Sequence, residues 1–225
     1  MKVTLLSLSD IVGGGGFRAA HRVHHALRRH DIDSTMVVSV KGTDDWTVQQ
    51  IPNTKASKFI VQIRSALGGS CKELLLRTAN QVIHSPAVVP SDWPDRLNHS
   101  DTDIVHLHWV NGEMLSIADI GKLRKPVVWT LHDMWAFCGA EHYTDEDRYQ
   151  KGYLKNNRPS YESGFDFNRW TWSRKRKHWK RPFHIVTPSQ WLADCVRRSA
   201  LMSDWPVTVV PYFIDPEVWK PFDTN

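Results

Sequence analysis

Apolar residues in this chain fall into short runs separated by longer stretches of mixed polarity. Residues 3–8 are the first such run, and Asp10 closes it, which predicts a short, fully buried strand. A loop over 9–16 ends in four consecutive glycines, Gly13 to Gly16. From 17 to 29 the spacing becomes helical, with Phe17, Ala20, Val23 and Leu27 along one face. Residues 35–40 return to a buried-strand pattern. Strand, glycine loop, helix and strand within forty residues make a βαβ unit.

The alternation continues. Residues 54–83 are helical in period, and Gly68 and Gly69 are expected to divide them into two helices. Pro86, Pro90 and Pro94 mark an irregular passage. Strand signatures recur at 104–108, 127–131, 183–187 and 207–210, with helical stretches at 114–123 and 189–200. Strands spaced by helices predict an α/β, Rossmann-like, doubly wound parallel sheet. Between Cys138 and Pro182 the pattern lapses. That segment reads as a long aromatic and charged insertion carrying a helix over 168–180. The expected division is one domain over 1–211, with the insertion at 138–182, and the start of a linker at 212–225.

Composition narrows the class. With 225 residues, 41% hydrophobic and 24% charged, the chain can bury one sizeable core and is neither disordered nor fibrous. No run approaches the roughly 18 apolar residues of a membrane-spanning helix, so a cytoplasmic chain is expected. Cys71, Cys138 and Cys195 are too few and too scattered for a disulfide framework, and free thiols are expected. The net charge of +5 favours anionic partners. Eleven tryptophans exceed what the core needs, and some are expected to line a groove.

Four clusters carry candidate chemistry. A glycine run that feeds a helix N-terminus presents backbone N–H groups to a phosphate, although a flexible turn would read the same way. The run is neither G-x-G-x-x-G nor a P-loop. His106 and His108 alternate along a strand and share a face; His108 is expected at the crevice and His106 in the core, without a metal. His132 and Asp133 end the next strand, where a histidine can donate to a sugar or phosphate and the carboxylate can orient it. Residues 174–181 (RKRKHWKR) hold six cations in eight positions, with Trp170, Trp172 and Trp179 beside them. Such a stretch suits an anionic lipid surface or an acidic glycan, or is simply a solvated helix face; nucleic acid is disfavoured because no recognition motif accompanies it.

Several blocks together resemble the N-terminal domain of retaining glycosyltransferases of family 4, which have the GT-B architecture. They are Leu8, Ser9 and Asp10 with the glycines and Arg18-Ala19-Ala20, then DIVHLHW at 103–109, WTLHDMW at 129–135, TPSQWLA at 187–193 and VPYFIDPEVWKP at 210–221. They run in order nearly end to end. The resemblance is strongest to members that build bacterial exopolysaccharide and other cell-envelope glycans.

The resemblance implies that this domain binds mainly the acceptor, while a nucleotide-sugar donor sits mostly on a second domain outside these residues. It implies Gly15 and Gly16 beside the donor diphosphate and His132 on the donor sugar. Asp10, His108, Trp109, Asp133 and Trp135 become cleft candidates. Transfer with retention, without a cofactor and usually without a metal, is implied as well. The family's paired glutamates, seven residues apart, have no counterpart here, so this chain alone is expected to be inactive. Trp170, Trp172, Arg174, Lys175, Arg176, Lys177 and Trp179 are expected to form a basic, aromatic surface. It would hold a glycan or lipid-linked acceptor and touch the anionic inner face of a membrane. Tyr212-Phe213 replaces the usual Asn-Gly of the linker, and the cysteine-rich loop of some relatives is missing from 140–157. The alternative is a non-catalytic glycan- or phosphate-binding module.

Overall fold

A computed structural model describes residues 1–51 and 55–214. The remaining residues, 52–54 and 215–225, include the expected helix start at Thr54 and most of the expected linker, which lie outside the described residues. The elements run β1 (Lys2–Ser9), α1 (Gly15–Arg29), β2 (Asp33–Val40), β3 (Val48–Gln50), α2 (Lys55–Leu75), α3 (Trp93–His99), β4 (Ile104–Leu107), α4 (Ile117–Gly121), β5 (Val127–Thr130), α5 (Arg148–Lys151), α6 (Phe167–His178), β6 (His184–Thr187), α7 (Gln190–Arg198) and β7 (Val207–Val209).

The seven strands form one sheet in the order β3-β2-β1-β4-β5-β6-β7, and every pairing is parallel. This is the α/β, Rossmann-like fold expected. Because neighbouring residues on a strand face opposite ways, β1 serves two cores. Leu5 packs with Met36, Val38, Val48 and Ala20 on one side. Leu6 joins Val37, Val105 and Leu107 in the larger core on the other. The chain leaves β1 toward β2 and β3, then returns to β4 on the opposite side. The crevice at such a reversal, outside the carboxyl ends of the strands, is where α/β sheets take ligands.

The structure differs from the sequence reading in several places. Helix α1 starts at Gly15 rather than Phe17, so Gly15 and Gly16 belong to its first turn. Helix α2 runs unbroken through Gly68 and Gly69 and ends at Leu75, well short of Ile83. Gly68 is there for packing: an added Cβ would lie 2.5 Å from Glu113 Cγ. The apolar stripe Phe59, Ile60, Ile63 and Leu67 faces outward. Strand β3 and helix α3 were not foreseen, although Pro94 in the first turn of α3 is a good helix starter. Helix α4 spans only Ile117–Gly121, capped by Ser116 and Asp119. The three cysteines are free, with Cys138 and Cys195 buried.

The insertion is not an excursion. Tyr149, Tyr153, Trp172 and Trp179 are part of the main core, and α6 packs on α4. Six tryptophans, Trp93, Trp129, Trp135, Trp172, Trp179 and Trp205, are buried. Trp46 and Trp191 are the large exposed ones among the described residues.

Candidate functional site

Helix α1 opens at the carboxyl end of β1 without a side-chain cap. Gly14 is its N-cap, no hydrogen bond from a side chain closes the end, and the first turn carries no acidic residue. The first N–H groups of a helix have no partner within it. Here they combine with the positive end of the helix dipole. Gly15 is open, with nothing within 4 Å of where a Cβ would be. Gly16 faces His132, and an added Cβ would lie 3.0 Å from the ring Cγ and 3.3 Å from Nδ1. The loop and the histidine, 116 residues apart in sequence, thus share one hollow.

His132 is held by its neighbours on both ring nitrogens. Nε2 lies 3.0 Å from Nδ1 of His108, and Nδ1 is hydrogen-bonded to the Tyr212 hydroxyl. The rings of His132 and His108, and of His132 and Tyr212, are stacked. Behind them His106 bonds Thr130 Oγ1 at 2.8 Å, but it is half-buried rather than the core histidine expected, because it lines a small cavity with His108 and Tyr212. Burial pushes both His132 and His106 down to about 4, and burial with its two histidine neighbours holds His108 well below its ordinary value. All three are neutral imidazoles at pH 7. A group entering this hollow would therefore meet His132 as a neutral hydrogen-bonding ring rather than a full charge.

Asp133 does not orient His132. Its Oδ2 accepts from Trp109 Nε1 at 3.0 Å and meets His142 Nδ1 at 2.6 Å, while Oδ1 accepts from the Trp135 amide at 2.9 Å. Burial would raise its pKa, but His142 and these donors outweigh it and hold the carboxyl below the usual range. His142 Nε2 in turn lies 2.8 Å from Ser85 Oγ. Asp133, His142 and Ser85 make a serine–histidine–aspartate line, but Ser85 and His142 are 8% and 2% exposed. The line braces the rim rather than attacking a substrate.

Three more cleft candidates serve structure. Asp10 is fully buried and accepts from the amides of Ile11 (2.8 Å), Gly42 (2.9 Å) and Thr43 (3.0 Å) and from the Thr43 hydroxyl (2.7 Å). It ties the loop after β1 to the loop after β2. Trp135 is buried, with its indole N–H on the Ser85 carbonyl at 2.9 Å. His108 is buried beneath His132 rather than open to the crevice. Trp109 is half-buried, edge-on to Phe17 of the glycine helix.

The basic stretch is divided. Lys175 is fully buried, its ammonium on the carbonyls of Trp135, Cys138 (3.1 Å) and Gly139 (2.6 Å) and 3.9 Å from the Trp135 ring centroid. Burial pulls it down to about 7. Trp172 and Trp179 are core residues, and half-buried Arg174 donates to the Pro86 and Ala87 carbonyls at 2.7 and 2.8 Å while lying over Trp170. Arg176, Lys177, Lys180 and Arg181 remain exposed. They lie where α6 hands over to the start of β6, toward the amino ends of the strands and so opposite the rim.

A cavity of about 460 Å³, unforeseen from sequence, opens on the rim. Its walls include Met134 just after β5, Trp191 at the start of α7, and Tyr143, Asp145, Glu146 and Tyr161 from the insertion. Trp191 is 56% exposed, and the Tyr143 hydroxyl donates to the His132 carbonyl at 3.2 Å. Exposed aromatic faces beside carboxylates suit the apolar faces and hydroxyls of a sugar. A sequence signal existed: in α7 the buried positions are Leu192, Ala193, Cys195 and Val196, which leaves Trp191 pointing away from the core.

Comparison with known proteins adds one match and one blank. The family model described as Glycosyltransferase Family 4 matches residues 13–218. No curated protein matches the chain.

Proposed function

We propose, for a chain that belongs to glycosyltransferase family 4, that this domain forms the acceptor side of a retaining, nucleotide-sugar-dependent transferase in polysaccharide assembly. Membership of the family makes it a glycosyltransferase domain of glycan biosynthesis. The observation that carries the finer reading is the contact between Gly16 and His132 beneath an uncapped helix end.

In this reading the N–H groups of Gly15 and Gly16 receive the donor's diphosphate, stabilised by the dipole of α1. The bond from the sugar's anomeric carbon to the diphosphate breaks on the same face at which the acceptor hydroxyl adds. The hydroxyl proton passes to the departing phosphate oxygen. Preorganised donors aimed at that oxygen lower the barrier without having to reorganise. His132, neutral, orients the donor sugar. The Tyr212 hydroxyl occupies its Nδ1, so the donor displaces Tyr212 from that nitrogen. The acceptor is a glycan in the aromatic cavity, and its carboxylates Asp145 and Glu146 favour neutral sugars over acidic ones.

In the complete enzyme, His132→Ala is expected to lower kcat/KM at least tenfold, about 1.4 kcal/mol, with an unchanged circular dichroism spectrum. A smaller loss removes the assigned role. Turnover of a nucleotide-sugar by this chain alone would overturn the reading that donor binding needs a second domain.

A further inference from the structure

His21 and His25 stand one turn apart on α1, so their rings share a face. Asp45, in the loop between β2 and β3, reaches the same point. The two Nε2 atoms are 3.3 Å apart. Asp45 Oδ2 lies 3.4 Å from His21 Nε2 and 2.8 Å from His25 Nε2. It is buried and accepts no well-formed hydrogen bond. A tetrahedral zinc ion with bonds near 2.0–2.1 Å holds its ligand atoms about 3.3–3.4 Å apart. Two of the three separations match that figure, and the third, 2.8 Å between Asp45 Oδ2 and His25 Nε2, widens to it by a small turn of one side chain.

The supporting residues are those of a built site. Asp45 is aimed by its other oxygen, which accepts from the Thr47 amide at 2.8 Å and the Thr47 hydroxyl at 2.6 Å. Thr47 Oγ1 in turn lies 2.8 Å from Nε2 of buried His24. His24 is not a fourth ligand, because both its nitrogens are engaged, by Thr47 and by Ser34. Hydrogen bonds of this kind fix the rotamers of metal-binding side chains. The three ligand atoms converge within 4.8 Å, and among the described residues no other such group of three exists.

We propose that His21, His25 and Asp45 bind a divalent cation of the zinc class, with the fourth position left to water. Nitrogen and carboxylate donors in a tetrahedral set suit zinc and disfavour magnesium or calcium. The cation would pin α1 to the loop over 41–47, which the Asp10 carboxylate already ties at Gly42 and Thr43. The loop over 41–47 would then be fastened at two points, to the loop after β1 and to α1. The site is independent of the transfer reading and stands or falls separately.

The test uses the whole chain after chelator treatment and dialysis. Calorimetric titration with Zn²⁺ is expected to show one ion per chain with micromolar or tighter affinity. His25→Ala and Asp45→Asn should each weaken binding at least tenfold, while His99→Ala, exposed on α3, should leave it unchanged. Co²⁺ in place of Zn²⁺ should give the intense visible bands of a tetrahedral centre, a readout that needs no variant to fold. Absence of saturable micromolar binding, binding unchanged in both ligand variants, or only the weak spectrum of octahedral Co²⁺ would each overturn the site.

Discussion

The rim and helix α6 treat polar groups in opposite ways. At the rim, the first-turn N–H groups of α1 have no cap, Gly15 faces open space, and His132 stands against Gly16. In α6, Lys175 is fully buried, and its donors are spent on the Trp135, Cys138 and Gly139 carbonyls. Burial lowers the pKa of both His132 and Lys175, so a perturbed pKa does not separate function from architecture. What separates them is that the first-turn N–H groups of α1 remain unspent and His132 Nδ1 is held only by the Tyr212 hydroxyl, whereas the Lys175 ammonium is taken up by buried backbone carbonyls. Lys175 fastens the turn after β5 to α6 through the Trp135, Cys138 and Gly139 carbonyls.

The sharpest way to break this contrast is Lys175→Ala. It leaves three buried carbonyls without a donor and opens a void beside Trp135, with an expected loss of about 3–5 kcal/mol. Urea unfolding measures it. A loss below 1 kcal/mol would mean that the ammonium is not the fastening described.

Acid should act next. His106 and His132 are lowered from 6.5 to about 4. Unfolding therefore takes up protons between those values, and stability is complete above pH 6.5 and lost as pH falls toward 4. Each histidine should cost on the order of 1–2 kcal/mol by pH 5. His106→Asn should flatten the slope of unfolding free energy against pH, and an unchanged slope would contradict the neutral assignment.

Smaller effects test the two surfaces. Trp191→Ala should raise the acceptor KM of the complete enzyme about tenfold, roughly 1.4 kcal/mol, with the donor KM unchanged. An equal rise in both would remove the cavity as acceptor site. The exposed cations Arg176, Lys177, Lys180 and Arg181 should contribute about 1 kcal/mol each to binding anionic vesicles. Sedimentation that is equal for neutral and anionic vesicles, and insensitive to salt, would exclude membrane contact through this edge.

Much of the fold was legible because buried parallel strands are continuous apolar runs, and the runs at 3–8, 104–108, 127–131, 183–187 and 207–210 each became a strand. Strand β3 was not, since Val48-Gln49-Gln50 is three residues long and offers one apolar side chain. At the site, the closeness of Gly16 and His132 followed from placing both at carboxyl ends of strands in a parallel sheet. The partners of Asp133 and Asp10 did not, because His142 and Thr43 reach them through loop geometry that no spacing encodes. The burial of Lys175 does have a signal in the sequence. Asn168, Thr171, Trp172 and Lys175 recur at helical spacing and form the buried face of α6, continued by Trp179 just past its end, so the charge of Lys175 is the misleading signal and its position the true one.

The most direct test is a double-mutant cycle on kcat/KM in the complete enzyme, pairing Gly16→Ala with His132→Ala. Alone, the added methyl must displace the His132 ring, whereas with alanine at position 132 it meets only the Cβ of that residue, 3.4 Å away, an ordinary contact. Each single change is expected to cost at least tenfold, and the pair about 1 kcal/mol less than the sum of the two. Costs that add within about 0.3–0.5 kcal/mol, or a Gly16→Ala enzyme of full activity, would contradict a shared donor site at the mouth of α1.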